Sequence, residues 1–551
     1  MATTREGHGG ELAVAVARAH GVQTMFTLSG AHVFPMYDAA VKADPPMRLV
    51  DVRHEQTAVF AAEATAKLTR QPGLAVLTAG PGVTNGISAV TSAWFNGSPM
   101  LVVGGRAPAF RWGTGSLQEL DHPPLLAPVT KHAATVGDVK TLADDVDHAL
   151  SLATAPHRGP VFLDVPMDQL FSRAEVELPA APHRSRVEPD PDRVAAVSGL
   201  LAQAQRPVLV IGSDVWADGA DHAARELAET AGLPVITNGM GRGILPAGHP
   251  QLVTRARSVA FGQADLVVVA GAPLDFRLGY GIFGGKQDAP AAQVVHLADS
   301  PGQVAAHVDL AGAVSGDLAL VLAGVREGWE AQRHRTADTG WLPLLQETAA
   351  AAAEKDRETL ESDADPIHPA RIYGELRGRL AEDAVVIGDG GDFVSFAGKY
   401  VEPARPGSWL DPGPYGCLGT GLGYAIAARI ARPSSQVVLL LGDGAAGFSL
   451  MDVDSLVRHG LPVVMVVGNN SAWGLEKHPM RFLYGYDVAA DLQPRTRYDE
   501  VVQALGGAGE LVTRPQDIGP ALDRAFASGV PYLVNVMTDT EVAYPRTTTG
   551  V

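Results

Sequence analysis

The stretch LLLGDGAAGFSL, residues 439–450, joins an apolar run to a glycine-flanked aspartate and then to a second apolar segment. Short apolar runs followed by glycine-rich turns and helical patterns recur along the whole chain. Such alternation of strands and helices predicts parallel sheets that are covered by helices on both faces. We therefore expect an α/β protein built from doubly wound parallel sheets.

The length of 551 residues exceeds what one hydrophobic core usually serves and predicts about three domains. Two segments interrupt the alternation, one rich in proline and charge at 171–192 and one with a polyalanine helix at 330–368. Both compositions are typical of linkers. The predicted domains are residues 1–185, 190–335 and 366–551.

Composition limits the partners that the chain is expected to have. The formal net charge of -18 argues against nucleic acid, whose phosphates need clustered Lys and Arg. The single cysteine, Cys417, rules out an intrachain disulfide framework and fits a reducing compartment. The N-terminal segment lacks the apolar core of a signal peptide, and no apolar run is long enough to span a membrane. We therefore expect a cytoplasmic protein with no membrane partner.

The GDG turn has the residues of a phosphate and metal site. Gly442 and Gly444 let the backbone approach a ligand closely, and Asp443 offers a carboxylate. Asn470, 27 residues after Asp443, follows the next apolar run, and the carbonyl of Ala472 lies two residues further on. Few protein oxygens combined with a diphosphate are the ligand set that Mg²⁺ favours. Ligands of open parallel sheets bind beyond the carboxyl ends of strands, where both segments are predicted to lie.

An aspartate in an ordinary strand-to-helix turn is the alternative interpretation, because Asp-Gly turns are common. A second GDG at 388–390 illustrates this, since nothing like the asparagine pair lies 27 residues after Asp389. The spacing of Asp443 and Asn470 distinguishes the two tripeptides.

At this spacing, GDG and NN resemble the diphosphate motif of thiamine diphosphate enzymes. Residues 53–86, RHEQTAVFAAEATAKLTRQPGLAVLTAGPGVTNG, resemble the pyrimidine-binding domain of the acetolactate synthase and oxalyl-CoA decarboxylase superfamily. The resemblance covers nearly the whole chain, in the order pyrimidine-binding, central and diphosphate-binding domain. It implies thiamine diphosphate and Mg²⁺ as cofactors.

The resemblance also implies which residues contact the cofactor. Glu55 matches the glutamate that contacts a ring nitrogen of the aminopyrimidine, and Leu418 matches the apolar residue that lies under the bent cofactor. On residue type alone, a solvated glutamate at a helix start and a core leucine are the alternatives. The other residues implied are Gly391, Asp392, Phe393, Gly416, Gly442, Asp443, Gly444, Ala445, Asn470 and Ala472. Asp443, Asn470 and Ala472 are the implied metal ligands.

Substrate-side residues follow from weaker matches. Gln118 in GTGSLQELDH, and Ala31 with His32 in SGAHVF, resemble loops of the first domain that face the substrate. A structural histidine is the alternative for His32. Related enzymes cover the cofactor with C-terminal segments, and Gln493 in such a segment is predicted to position a substrate oxygen or a water.

The central stretch at 255–281 resembles oxalyl-CoA decarboxylases and 2-hydroxyacyl-CoA lyases more than flavin-binding acetolactate synthases. It therefore points to an acyl-CoA substrate, with basic side chains for the CoA phosphates. Ordinary surface basic residues are the alternative. The candidates are Arg255, Arg257, Arg277 and Lys286.

The leading hypothesis is a lyase that cleaves a 2-hydroxyacyl-CoA to formyl-CoA and an aldehyde or ketone. The alternative is a carboligase that acts on pyruvate and other 2-oxo acids, and a third hypothesis is a non-catalytic thiamine diphosphate-binding protein. The presence of Glu55, Asp443 and Asn470 argues against the third. The resemblance further implies a homo-oligomer, a dimer of dimers, in which Glu55 and Asp443 of one site come from different subunits.

Overall fold

The computed structural model describes residues 3–180, 186–286, 289–332 and 340–544. The chain divides into two compact units. One unit holds Met1–Arg184, Ile387–Val394 and Asp411–Val551, and the other holds Ser185–Val386 and Ser395–Leu410. The prediction of three parallel-sheet α/β domains is confirmed by three separate sheets.

The first sheet has six strands, and all of its pairings are parallel. In spatial order they are Arg48–Asp51, Thr24–Thr27, Gly73–Leu77, Met100–Arg106, Pro160–Pro166 and Ala133–Thr135. The helices of this domain are Gly9–Ala19, Phe34–Lys42, Glu55–Thr69, Pro81–Phe95, Pro123–Leu126, Leu142–Thr154 and Met167–Phe171. The Gly73–Leu77 and Pro160–Pro166 strands are buried along their whole length, as expected for a sheet with both faces covered.

Part of the segment predicted as the first linker is a strand. Arg173–Leu178 alternates between exposed and half-buried residues and pairs antiparallel with Thr3–His8. Alternating charged and apolar residues suit a short ribbon with one face in water. Residues 181–185 of the predicted linker lie outside the described residues.

The central sheet has five strands and is covered on both faces. In spatial order they are Val235–Thr237, Pro207–Ile211, Leu266–Ala270, Gln293–Ala298 and Gly312–Ser315. Along the third of these, Leu266, Val268 and Ala270 belong to one apolar core, and Val267 and Val269 belong to another. This alternation is the signature of a doubly wound sheet. The helices are Pro191–Gln203, Ser213–Ala217, Asp221–Ala231, Arg257–Gln263, Leu318–Ala331, Trp341–Leu360 and Ala370–Arg377. Within the second predicted linker, residues 333–339 lie outside the described residues.

The third sheet again has six strands. In spatial order they are Trp409–Leu410, Val385–Asp389, Val437–Gly442, Val464–Asn469, Tyr532–Met537 and Ala508–Val512. The helices here are Asp392–Tyr400, Thr420–Ala431, Asp443–Ser449, Val453–Arg458, Gly474–Tyr484, Tyr498–Ala504 and Ile518–Ala527. Among the helices of the described residues, none combines the length and the apolar character that crossing a lipid bilayer requires.

The first and third sheets have the same strand order. Numbered within each sheet along the chain, both run 2-1-3-4-6-5. The order reverses between strands 1 and 3, and the loops beyond their carboxyl ends diverge to leave a crevice. In the first sheet these loops begin at residues 28 and 78, and in the third at residues 390 and 443. The fold therefore places residue 78 of the N-terminal motif and the GDG turn at residue 443 at ligand-binding crevices.

Candidate active site

His32 lies at the crevice of the first sheet. It follows the strand Thr24–Thr27, and its Nδ1 lies 3.1 Å from the hydroxyl of Thr78, which follows Gly73–Leu77. A Cβ on Gly105 would lie 2.6 Å from the Cβ of His32, so glycine is needed there. Burial lowers the pKa of His32, and the imidazole is therefore neutral at pH 7. Its neighbour Ala31 is exposed.

Glu55 is the first residue of the helix Glu55–Thr69 and is 6% exposed. The side-chain amide of Asn85 donates a hydrogen bond of 3.0 Å to its Oε2. A Cβ on Gly82 would lie 3.8 Å from Oε1. A solvated glutamate at a helix start does not fit this burial, so the carboxylate is held inside the protein against the helix Pro81–Phe95.

Gln118 lies against the same turn. Its backbone is left-handed, with φ 60°, which costs strain for a residue with a side chain. A Cβ on Gly80, itself at φ 58°, would lie 2.9 Å from the Cβ of Gln118. The buried ring of His122 accepts the Gly80 N–H through Nε2 at 2.9 Å. The turn at 78–82 therefore brings Gln118, Glu55 and His32 into one neighbourhood.

Three side chains of this neighbourhood were not singled out from the sequence. They are Thr78, Asn85 and His122. The first two lie inside the quoted motif at 53–86, so their position in it was an available signal. His122 lies four residues after Gln118, and only the fold shows that it turns back to Gly80.

Asp443 lies at the crevice of the third sheet and is 3% exposed. Its Oδ1 accepts the N–H of Gly444 at 3.0 Å. Within the described part of the chain, its Oδ2 is buried without a hydrogen-bond partner. Burial raises the pKa of Asp443 to about 6. A cation bound at Oδ2 would compensate this buried oxygen, so the residue fits a metal ligand.

The segment around Asn470 lies on the neighbouring strand. Val464–Asn469 pairs with Val437–Gly442, with Gly468 opposite Gly442, so Asp443 and Asn470 leave the sheet at the same edge. The side-chain oxygen of Asn470 accepts the N–H of Ala472 at 3.1 Å, and its carbonyl accepts the Thr540 hydroxyl at 2.6 Å. These bonds fix the turn that carries two of the three predicted metal ligands.

The segment at 390–393 closes the other side of this crevice. A Cβ on Gly390 would lie 3.1 Å from that of Ala445. A Cβ on Gly468 would lie 2.4 Å from the ring of Phe393, and Gly391 and Asp392 precede Phe393 in sequence. The segment predicted to contact the diphosphate therefore lies beside the GDG turn.

Gly444 has no room for a side chain. A Cβ there would lie 2.4 Å from the ring of Trp473, another residue that the sequence did not single out. Glycine at this position therefore lets the backbone of the GDG turn lie directly against the indole.

The Leu418 loop lies beside the start of the helix Glu55–Thr69 and the end of the helix Asp443–Ser449. Leu418 is half-buried, and Gly416 has a left-handed backbone with φ 69°. A Cβ on the next residue, Gly419, would lie 2.8 Å from the Gln56 amide nitrogen and 2.9 Å from the Phe448 Cβ. Burial raises the pKa of the intervening Cys417 to about 11, so its thiol is protonated at neutral pH, as expected for a packing residue and not for a nucleophile.

Within the described part of the chain, no hydrogen bond joins Gln493, which was predicted to face the substrate, to the residues described above. Gln493 is exposed, and its backbone carbonyl accepts the Thr496 hydroxyl at 3.0 Å. In the part of the chain that the structure describes, no hydrogen bond or ion pair joins Glu55 to Asp443.

The three predicted CoA-binding arginines have partners within their own unit. Arg255 forms an ion pair with Asp356. Arg257 donates to the carbonyl of Arg277 and stacks on the Phe261 ring at 4.6 Å. Arg277 pairs with Asp275 at 2.8 Å. The charges of Arg255 and Arg277 are therefore paired with carboxylates as the structure stands, and the role of all three arginines toward a substrate stays a prediction.

Comparison with known proteins identifies the family. Residues 7–125 match the N-terminal TPP binding domain of thiamine pyrophosphate enzymes, residues 194–325 match their central domain, and residues 389–536 match their C-terminal TPP binding domain. The central range contains the whole five-stranded sheet, and each of the other two ranges contains four complete strands of its six-stranded sheet.

Two groups of relatives match nearly the whole chain. A protein of Mycobacterium bovis named "Probable acetolactate synthase" is 49% identical over 98% of this chain and 97% of its own. The proteins named "2-hydroxyacyl-CoA lyase 2" of Caenorhabditis elegans and Homo sapiens are 35% and 33% identical. They match 94% and 96% of this chain and 87% and 90% of their own. With both its thiamine-binding domains and its central domain matched, the chain belongs to the thiamine pyrophosphate enzyme family.

Proposed function

We propose that this enzyme is a thiamine diphosphate-dependent lyase that cleaves a short 2-hydroxyacyl-CoA to formyl-CoA and an aldehyde or ketone, and joins them in reverse. In the cleavage, the 2-hydroxyl loses its proton and the bond between C1 and C2 breaks. The electron pair stays on the thioester carbon, which takes up a proton to become formyl-CoA. C2 becomes the new carbonyl carbon.

The third-sheet crevice suits the diphosphate and its metal. Asp443, Asn470 and the Ala472 carbonyl would hold Mg²⁺, and the buried, unpartnered Oδ2 of Asp443 supports this assignment. When bound, thiamine diphosphate supplies a nucleophilic thiazolium carbon and an electron sink for the bond that breaks. Glu55 would hold a proton at the aminopyrimidine, and Leu418 would support the cofactor from below.

The proposal of a thioester substrate rests on the neutral character of the side chains that are predicted to face the substrate. The side chains predicted for the substrate side, Gln118 and His32, are neutral hydrogen-bonding groups, and burial lowers the pKa of His32 so that its ring is uncharged at pH 7. They suit a thioester carbonyl and a hydroxyl, whereas the carboxylate of a 2-oxo acid favours a cation. Arg106, a guanidinium on this side, already pairs with Asp164 and Asp121.

A carboligase that forms acetolactate from pyruvate is the second candidate. The relatives that are 49% identical over 98% of the chain carry the name acetolactate synthase, and this identity exceeds that of the lyases. The cofactor-binding residues would serve both reactions, so only the substrate distinguishes them.

A comparison of the two candidate substrates tests the proposal. Purified enzyme with thiamine diphosphate and Mg²⁺ receives a short 2-hydroxyacyl-CoA or pyruvate, and formyl-CoA and acetolactate are measured. We expect formyl-CoA with a matching carbonyl product, and little acetolactate. Robust acetolactate formation with no formyl-CoA from any thioester tested would favour the second candidate. Glu55→Gln is the control, since it should abolish either product.

A further inference from the structure

A buried chain of polar side chains runs from Arg106 to the turn beside Glu55. Arg106 forms an ion pair with one oxygen of Asp164, and the other oxygen lies 2.9 Å from Nδ1 of His122. On its far side, Nε2 of His122 lies 2.9 Å from the backbone nitrogen of Gly80. His122 and Asp164 are both 0% exposed. None of these three side chains has a part in the reaction described above.

The groups at the two ends of this hydrogen-bonded network determine which ring nitrogen of His122 carries the proton. A backbone N–H only donates, so Nε2 of His122 must accept and carries no proton. The proton of the neutral ring is therefore on Nδ1, where it is donated to Asp164. Arg106 donates to the second oxygen of that carboxylate and also contacts Asp121 at 3.0 Å and the Trp112 ring at 3.6 Å. A buried network in which every polar group has a hydrogen-bond partner keeps its side chains in one conformation.

The residue that this arrangement constrains is Gln118. It has a left-handed backbone, and such strain persists only where the surroundings enforce it. His122 ends the same loop and bonds to the N–H of Gly80, where an added Cβ would lie 2.9 Å from the Cβ of Gln118. Glu55 is held separately, through Asn85 and its own helix.

We propose that His122 is a positioning residue that keeps Gln118 at a fixed separation from Glu55. It acts through the acceptor at Nε2, and Asp164, held by Arg106, keeps the ring proton on Nδ1. This inference rests on the proposed function only in taking Gln118 as a substrate-side residue.

Two substitutions distinguish the roles of the two ring nitrogens of His122. His122→Gln can place an acceptor near the position of Nε2, whereas His122→Asn can donate to Asp164 but leaves the Gly80 N–H without an acceptor. On whichever substrate the holoenzyme turns over, we expect kcat to fall at least tenfold in His122→Asn and less than threefold in His122→Gln. Cofactor affinity and exchange of the thiazolium C2 proton into D2O should be unchanged in both.

A double-mutant cycle tests whether the effect passes through Gln118. Adding Gln118→Ala to His122→Asn should cost little further activity, because coupled residues are not additive. His20→Asn is the matched control, because His20 is also buried and bonded to a carboxylate, Asp147, at 2.7 Å. It should lower the melting temperature without changing kcat relative to the wild type.

Hydrogen exchange of the holoenzyme gives a measurement that needs no substrate. Peptides covering residues 107–122 should exchange faster in His122→Asn than in the wild type or His122→Gln. Equal kcat in the two His122 variants, full additivity with Gln118→Ala, or unchanged exchange in this loop would each overturn the proposal. Loss of turnover on every substrate would defeat the proposed function alone, and the exchange result would still decide the role of His122.

Discussion

A single buried oxygen, Oδ2 of Asp443, gives the clearest prediction about cofactor binding. Asp443→Ala removes the carboxylate that would join Mg²⁺ to the protein, and retention of thiamine diphosphate should fall by more than about 100-fold, the upper range for losing an outer-shell partner. The apo fold should be as stable as the wild type or more so, because an uncompensated buried carboxyl is removed. Calorimetry of cofactor binding and of unfolding measures both. Wild-type affinity in the variant would contradict the metal assignment, and Asp454→Asn serves as control.

Asp389, in the other GDG, has a structural role that predicts a pH dependence. Its carboxyl accepts the N–H groups of Gly419 and Gly421 at 3.1 and 2.8 Å, at the start of Thr420–Ala431. Burial nevertheless raises the pKa of Asp389 to about 7. The native state therefore keeps a proton that the unfolded chain releases near pH 4, and this contribution to stability is lost as the pH rises toward 7.

The wild type should therefore lose up to about 4 kcal/mol of unfolding free energy between pH 4 and 7 that Asp389→Asn does not lose. Urea unfolding of both proteins at pH 5 and pH 8 should show about 3 kcal/mol of this difference. Asp144→Asn, an exposed position, is the control. A difference between wild type and Asp389→Asn that does not change with pH would show that the carboxyl is ionised throughout.

At the scale of elements, one carboxylate holds the start of the Glu55 helix. Asp452 is 1% exposed and accepts from the Arg53 backbone at 2.7 Å and from the Thr57 hydroxyl at 2.6 Å. These two residues flank Glu55. Asp452→Asn should lower the free energy of unfolding by about 1–3 kcal/mol, because it leaves a buried partner unsatisfied. It should also slow exchange of the thiazolium C2 proton, because Glu55 loses its fixed position.

Asp454→Asn is the matched control for Asp452→Asn. Asp454 lies two residues away and forms partly exposed ion pairs with Arg458 and Arg53. Such pairs contribute little, so both measurements should stay near the wild type. An Asp452→Asn variant that loses stability but exchanges the C2 proton at the wild-type rate would limit Asp452 to a structural role.

These elements also show which structural features can be predicted from the sequence. The strands and the GDG turn were predictable, because apolar runs and glycine punctuation are local signals. The bond from Thr57 to Asp452 spans 395 residues, and no local pattern carries it. The antiparallel strand at 173–178 was taken for a linker, because its alternation is short and rich in charge. Gln118 was found by resemblance, but its strained backbone and its tie through His122 depend on the tertiary fold.

At the scale of the whole molecule, the residues predicted to bind the two ends of the cofactor lie in separate crevices. Glu55 is bonded to Asn85, and Asp443 keeps an unpartnered oxygen; no bond of the described residues joins them. Two sheets with the same strand order suit a symmetric pair of subunits, and we propose that the first crevice of one chain faces the third crevice of its partner. Such a site would be complete only in an oligomer.

Mixing Glu55→Ala and Asp443→Ala chains under subunit exchange tests the shared site. If each site takes Glu55 from one chain and Asp443 from the other, every hybrid dimer has one intact site and one doubly defective site. Half of the dimers are hybrids at equal mixing, so activity should return to about a quarter of the wild type. Each variant alone stays inactive and provides the control. If mass spectrometry shows complete exchange but no activity returns, Glu55 and Asp443 of one site belong to the same chain.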